Sequence, residues 1–564
     1  MNKLISTRNL TAVLAFSTIL ITAFTSSIRA EQTVNEAKAV LVPGTGNYSR
    51  DISTDSSTAQ QFFDQGLRLA WGFYFPESIA SYQEAARLDP GNPMPYWGMA
   101  HAMGPNPNSR YARMPDDPKG AGLKAINQAM ARLAQASELE KSLIDALFVL
   151  YDKDNIPDDA KRDRAYLKAM RALNKKHPAD PDIAALYAAS YMSIGRWNYW
   201  DSNGEPKDET LPVALALENI IEMGIDHPGV YHLHIHLIEA SMQPDRALVS
   251  ADNLEKTVPI AGHVVHMPAH IYVRTGQYQK AIDSNIRSQL VDKEFAKIWG
   301  DMPMPNIGTY PLSHKMHAGH AIDFIRYAAT VQGNYDVAIE AAHQAKARAT
   351  RVATNTHRNQ RSIAAPWLVE KIFGKWDNLL DQQPSHSGLP YLDGMWAYAL
   401  GSAHLATGDA MAAETQLKHL QALSNAANAD EYRVGATAAS TVLKLAAMAL
   451  QGELLETGGD LDAAIEVYKQ AVQLEDQNNY TEPPDWPQPM RHYLGSALLK
   501  AGKYAEAEQV YRKDLLWNQN NGWSLFGLQL ALEKQGKKTE AASIFEQYQL
   551  AWRFSNTKLT ESHL

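Results

Sequence analysis

The feature that most constrains how this chain can fold is a short signature that keeps returning. It is a glycine, an apolar residue or lysine two positions on, and an alanine five positions on. It opens at Gly276, Gly333, Gly408, Gly459, Gly502 and Gly536, most clearly as Gly276–Tyr278–Ala281, Gly333–Tyr335–Ala338 and Gly502–Tyr504–Ala507. Glycine permits a tight turn between two helices, and alanine lets the next helix lie close to its neighbour. Gly502 and Gly536 are 34 residues apart, but the earlier intervals of 57, 75, 51 and 43 residues are irregular, so some units are degenerate or carry insertions. Near the N-terminus, Phe75 to Leu88 reads as the second helix of such a unit, with Asp89-Pro90 as its exit because proline stops a helix. Strand signals are nearly absent. The pattern predicts an all-α superhelix, an α-solenoid, with a helical region over 60–225, a histidine-rich region over 226–350 and a C-terminal region over 351–564.

The repeating unit resembles the tetratricopeptide repeat, a helix-turn-helix of 34 residues. Ahead of it lies a different kind of segment. Lys3 and Arg8 precede an apolar run from Leu10 to Phe24, and Ser26 to Ala30 offers a cleavage site, so residues 1–30 are expected to be a secretory signal peptide. Residues 31–59 follow as a polar lead-in, expected to be partly disordered. Losing Lys3, Arg8 and Arg29 with the leader takes the formal charge from −9 to −12. That acidity argues against nucleic acid or anionic lipid as the main partner. No later stretch is apolar enough for stable membrane insertion once the leader is cleaved. The expected location is periplasmic or secreted. There is no cysteine, which excludes thiolate-bound zinc, iron–sulfur clusters and thiol catalysis.

Function is concentrated in one stretch. Ten of the 19 histidines fall between His227 and His320, and their spacings are ordered. His232, His236 and Glu239 form H-x-x-x-H-x-x-E; His263, His266 and His270 form H-x-x-H-x-x-x-H; His317 and His320 form H-x-x-H. On a helix, positions 0, 4 and 7, or 0, 3 and 7, lie within about 60° of one another. Lines of imidazole on facing helices are how all-helical proteins hold metals. His232 and His266 are one repeat apart, which places their helices side by side on the inner wall. His234 points the opposite way. The helices are expected over 228–241 and from Pro244 to Thr257. Pro268 interrupts the next one, and if a helix starts there, His263 and His266 sit in the loop before it.

Imidazole suits copper, zinc or iron. Met242, Met267, Met302, Met304 and Met316 nearby tilt the choice slightly towards copper, although methionine also fills cores. Tyr231, Tyr272 and Tyr310 are candidate proton donors, with packing the commoner use of such residues. Trp197, Tyr199 and Trp200 are candidates for the mouth of the site, with core packing the commoner use of such residues. Trp486, Trp517, Trp523 and Trp552 read as packing between repeats. Loops are expected at 104–108, 200–206, 301–308 and 482–489, gathered at a binding face. The H-E-x-x-H protease motif is absent, and no catalytic residue is assigned.

Several strings also resemble a family of large secreted or periplasmic bacterial tetratricopeptide repeat proteins. They are Gln65-Gly66-Leu67, Tyr96-Trp97-Gly98, His232-x-x-x-His236-x-x-Glu239, Gly262-His263-x-x-His266-Met-Pro-x-His270, His317-x-x-His320, Glu482-Pro-Pro-x-Trp486, Arg512-x-Asp514-Leu515 and Asn521-Gly-Trp523. One departure is Pro76, beside Phe75, where relatives often carry a histidine. The resemblance implies the fold and export far more than a reaction. The expectation is therefore an exported repeat protein with a transition-metal site on its concave surface, formed by His232, His236, Glu239, His263, His266, His270, His317 and His320. Its chemistry would be hydrolytic or oxidative. Three alternatives stand beside it. One is a non-catalytic scaffold taking a peptide or protein partner in its groove. Another is a metal store. The third is a histidine network with a structural or pH-sensing role.

Overall fold

The computed structural model describes residues 37–108, 118–201, 204–305, 318–352 and 356–564. The expected leader, residues 31–36, Tyr310, Met316 and His317 lie outside the described residues. The chain is a succession of antiparallel helix pairs, from Ser57–Trp71 with Phe75–Leu88 to Gly522–Lys534 with Lys538–Ala551. Among the described residues, paired strands are confined to a two-stranded hairpin, Arg433–Val434 with Thr437–Ala438, and a bridge between Trp200 and Pro206. No described helix is long and apolar enough to cross a membrane.

The local causes are those the repeat signature implies. Asp158, Asp180, Asp409 and Asp460 cap helix N-termini with their carboxylates, satisfying amides that have no partner inside the helix. Each signature glycine from Gly276 to Gly536 takes the left-handed turn between paired helices, with φ between 69° and 92°. In the first pair that position belongs to Phe73, at φ 61°. A bulky side chain there costs about 1–3 kcal/mol and persists only where its surroundings impose it.

Two apolar cores run through the superhelix, and they meet at the helix Gln360–Ile372. Its Ala365, Val369 and Ile372 belong to one core, while Ile363, Trp367 and Leu368 belong to the other. The C-terminal repeats also curl back onto the histidine-rich repeats. The Trp523 indole donates to Thr330 O (3.1 Å), Tyr278 donates to Gln519 O (2.9 Å), and the Arg274 guanidinium lies 3.9 Å over the Trp517 ring.

Three expectations change. The lead-in is a pinned strap over residues 37–56: Gln65 pairs with the backbone of Val40 and Val42 (2.8 and 2.7 Å), and Arg50 reaches Asp182 at 2.9 Å. Side chains supply the partners that a loose segment lacks. The helix expected over 228–241 ends at Ile238, because Arg274 takes the carbonyls of Glu239 and Ser241. Its successor opens with a 3-10 turn, Pro244–Ala247, before Leu248–Thr257. At Pro268 the chain divides into Gly262–His266 and Pro268–Arg274, but Met267 between them keeps helical angles (φ −52°, ψ −36°). Proline removes one hydrogen bond without redirecting the axis, so His263 and His266 stay on a helix and not in a loop.

Candidate metal centre

The histidine helices meet in the interior. Pro228–Ile238 carries His232 and His236; Gly262–His266 and Pro268–Arg274 carry His263, His266 and His270; Ala318–Val331 carries His320. The spacing within each element would put its histidines on a shared line, but tertiary packing sorts them into two triads. His232, His236 and His263 form one, and His266, His270 and His320 the other, each with candidate ligand atoms within 4.8 Å of one another. The triads adjoin: the His263 and His266 rings are 6.0 Å apart, and those of His236 and His270 are 5.7 Å apart. All but His320 are buried, so the cluster lies inside the protein and not along an open concave wall.

The outer nitrogens decide the tautomers. His232 Nδ1 lies 2.6 Å from Trp71 O, which only accepts, so Nδ1 carries the hydrogen. His266 Nδ1 lies 2.6 Å from Asn285 Oδ1, and the Asn285 amide is oriented by donating its own N–H to Ala281 O. His270 Nδ1 lies 2.5 Å from Glu239 Oε2. With hydrogen on Nδ1, the His232 and His266 rings turn a bare Nε2 inward. Burial would lower the pKa of His270, but Glu239 and Glu482 push it up to about 10, so without a metal that ring also holds a hydrogen on Nε2.

Those inner nitrogens face each other. His266 Nε2 and His270 Nε2 are 2.9 Å apart, and His232 Nε2 and His263 Nε2 are 3.2 Å apart. Each contact holds either a hydrogen, which His270 can donate to His266 and His263 to His232, or a metal ion that takes the hydrogen's place. Nitrogens sharing a tetrahedral zinc ion are about 3.3 Å apart, given Zn–N bonds near 2.0–2.1 Å. His236 Nε2 is buried without a hydrogen-bond partner, which is costly for an apo imidazole and ordinary for a ligand. Once deprotonated, the inward-facing nitrogens, with no thiolate among them, fit a borderline transition metal.

Glu239, expected as a ligand, lies on the Nδ1 side of His270, where Glu239, His270 and Glu482 form a third group with candidate ligand atoms within 4.8 Å of one another. Glu239 Oε1 lies 3.3 Å from His236 Nδ1 while Oε2 holds His270, so one carboxylate orients a histidine of each triad. Burial would raise the pKa of Glu239, but His270 and His236 outweigh this and hold it at about 2, which keeps it charged. Glu482, from a loop more than two hundred residues away, approaches the same His270 Nδ1 at 2.5 Å. Burial pushes its pKa up. Aromatic rings pack against both triads. Phe73 stacks on His232, His236 and His263 with ring centres 4.3 to 6.0 Å away, and Phe324 lies 4.7 to 5.0 Å from His266, His270 and His320. The strained turn at Phe73 thus delivers a ring to the site.

Other candidates are placed elsewhere. His227 caps its own helix, accepting from Val230 N and contacting Asp182. His234 turns to Ser250 and Glu218, as its spacing predicts. Tyr231 and Tyr272 bond Asp226 and Asp252. Trp200 donates to Leu237 O, and Tyr199 is fully buried. Phe73, Asn285, Phe324 and Glu482 were not singled out from the sequence as site residues. Of these only Glu482 carried a signal, as the first residue of the Glu-Pro-Pro-x-Trp loop.

A family model for the tetratricopeptide repeat matches residues 445–478. No curated protein matches the chain. Among solved structures, the Cut9–Hcn1 hetero-tetramer of the APC/C is 14% identical, covering 91% of this chain and 77% of its own, with a TM-score of 0.27. The human IFIT1 dimer with m7Gppp-AAAA is 13% identical over 76% of this chain and 86% of its own, with a TM-score of 0.31. Likeness at those scores carries nothing about function. The matched repeat and the run of helix pairs define an all-α tetratricopeptide-repeat superhelix, a helical scaffold.

Proposed function

We propose that this scaffold houses a two-ion transition-metal centre, one ion for each histidine triad, and that the protein is an exported metalloprotein. The carrying observation is the pair of Nε2 atoms of His266 and His270 facing at 2.9 Å, with both Nδ1 atoms committed to acceptors. His232, His236 and His263 would hold one ion, and His266, His270 and His320 the other. Glu239 and Asn285 orient the rings. Copper, zinc or iron suits nitrogen donors of this kind, and a site with three protein ligands keeps a position open for water or substrate, in hydrolytic or oxidative chemistry. Export is supported by the basic and apolar N-terminal sequence, and by resemblance to secreted bacterial repeat proteins carrying the same Gly-His-x-x-His-Met-Pro-x-His string.

The test is metal content of the protein beginning at Glu31, purified without a His-tag or chelating column. About two equivalents of one transition metal are expected, and they should be lost in the His236→Ala/His266→Ala variant. If the parent takes up no metal even after reconstitution, the reading fails. The cation between His266 and His270 is then a proton, and the histidines are a structural network.

A further inference from the structure

The inner face of the C-terminal repeats is already occupied. After Ala551 the chain leaves the last helix and runs without regular structure to Leu564. It is first held at the Gly333 turn, where Ser555 donates to Gly333 O (2.8 Å) and Tyr335 N donates to Asn556 Oδ1 (2.8 Å). Leu559 then buries in the first core. Beyond it, three consecutive side chains anchor to the helix Met490–Lys500. Glu561 pairs with Lys500 (2.7 Å) and accepts from Ser496 (3.1 Å); Ser562 donates to His492 O (2.8 Å); the His563 ring packs 4.6 Å from that of Tyr493.

The protein side of this contact is built. Tyr511, on the outer helix Tyr504–Trp517, passes between Gly495 and Gly527. A Cβ on either glycine would meet the Tyr511 ring at 2.3 or 2.2 Å. The phenol therefore emerges on the inner face, 2.7 Å from Ser562 Oγ. Beneath His563 is a polar floor: the fully buried Lys371 ammonium bonds Glu453 and Tyr493, and Tyr493 bonds Tyr398 and Gln488. The fit is incomplete, because His563 Nδ1, His492 Nδ1 and Gln488 Nε2 are buried without hydrogen-bond partners. A ligand that satisfied His492 Nδ1 and Gln488 Nε2 would bind more tightly than the resident one.

We propose that this groove is a peptide-binding site whose resident ligand is the chain's own segment Lys558–Leu564, and that it accepts an extended peptide of the same acidic–Ser–His–aliphatic type in trans once the segment is displaced. The repeats thus carry a peptide site separate from the histidine cluster, occupied in cis.

The experiment inserts a protease site after Thr557 in the full chain, cleaves it, and adds fluorescently labelled Lys558–Leu564 peptide. The labelled peptide should exchange into the cleaved protein with saturable anisotropy and not into the uncut protein. Replacing the serine equivalent to Ser562 with alanine should weaken it by about tenfold, the loss of roughly one buried hydrogen bond. If cleavage unfolds the C-terminal repeats, the uncut Ser562→Asp variant, which sets a carboxylate against the His492 carbonyl that Ser562 donates to, should bind the same peptide. No peptide binding by a folded cleaved protein or by the folded variant overturns the proposal, as does equal binding of a scrambled peptide.

Discussion

Histidine tautomers are chosen by acceptors that lie on other helices. Asn285 is the clearest case, since its amide oxygen fixes the hydrogen on His266 Nδ1 and frees Nε2. Asn285→Ala should leave the fold intact and weaken metal binding by about 10–100-fold in a chelator competition. Glu239→Gln should weaken both ions, because its oxygens face a histidine of each triad. An effect confined to one ion would refute that shared role. Phe73 sits at a turn where glycine would relieve strain of about 1–3 kcal/mol, yet deleting its buried ring costs about 3–5 kcal/mol. Phe73→Gly should therefore lower stability in denaturant titration by roughly 2 kcal/mol. Of these supporting residues only Glu239 was legible from spacing, as the last member of its H-x-x-x-H-x-x-E string; Asn285 and Phe73 were not, because a contact between separate helices leaves no local period. The grouping of the six described histidines along the chain was legible, because each cluster lies within one or two helical turns.

Among the elements, the strap over 37–56 is held by Gln65 at one end and by a buried carboxylate further along. Asp182 receives Tyr48 OH (2.6 Å), Arg50 (2.9 Å), the Trp71 indole (3.1 Å) and His227 Nε2 (3.0 Å). Burial alone would raise its pKa, but His227, Arg50 and Tyr48 prevail and hold it below the ordinary 3.8. A depressed carboxylate stabilises the fold above its unfolded pKa and loses that contribution as pH falls through the lower folded value. Acid release of the strap should thus begin only below about pH 4. Asp182→Asn removes the more buried of the two carboxylates that Arg50 pairs with and leaves it Asp180 at 3.1 Å. It should cost about 1–3 kcal/mol and make residues 37–56 more sensitive to protease at neutral pH. Composition alone suggested a loose segment here, since polar residues were visible and their distant partners were not.

For the whole molecule, closure of the superhelix decides which residues reach the histidines. Arg274 sits at that closure, donating to Glu239 O and Ser241 O while stacking on Trp517. Arg274→Ala should loosen the contact between the histidine-rich and C-terminal repeats, seen as a larger radius of gyration in X-ray scattering. The loss is about 2–4 kcal/mol from the buried hydrogen bonds and the cation–π contact. The same variant should withdraw Glu482 from His270. An unchanged scattering curve would show that the two halves are held by other contacts.

The sequence by itself determined the helical repeat class, the turn positions and the clustering of histidines along two short segments. These follow from residues 2 to 7 positions apart, over which helical period and turn chemistry act. Only the tertiary structure decided that the clusters regroup into two triads, that Glu239 turns to the outer nitrogens, and that Glu482 joins from the far end of the chain. It also decided that the C-terminal segment fills its own groove. These contacts arise from how helix pairs stack and where the superhelix closes. The irregular intervals between units, 43 to 75 residues in this chain, remove the simple repeat arithmetic that would otherwise have predicted them.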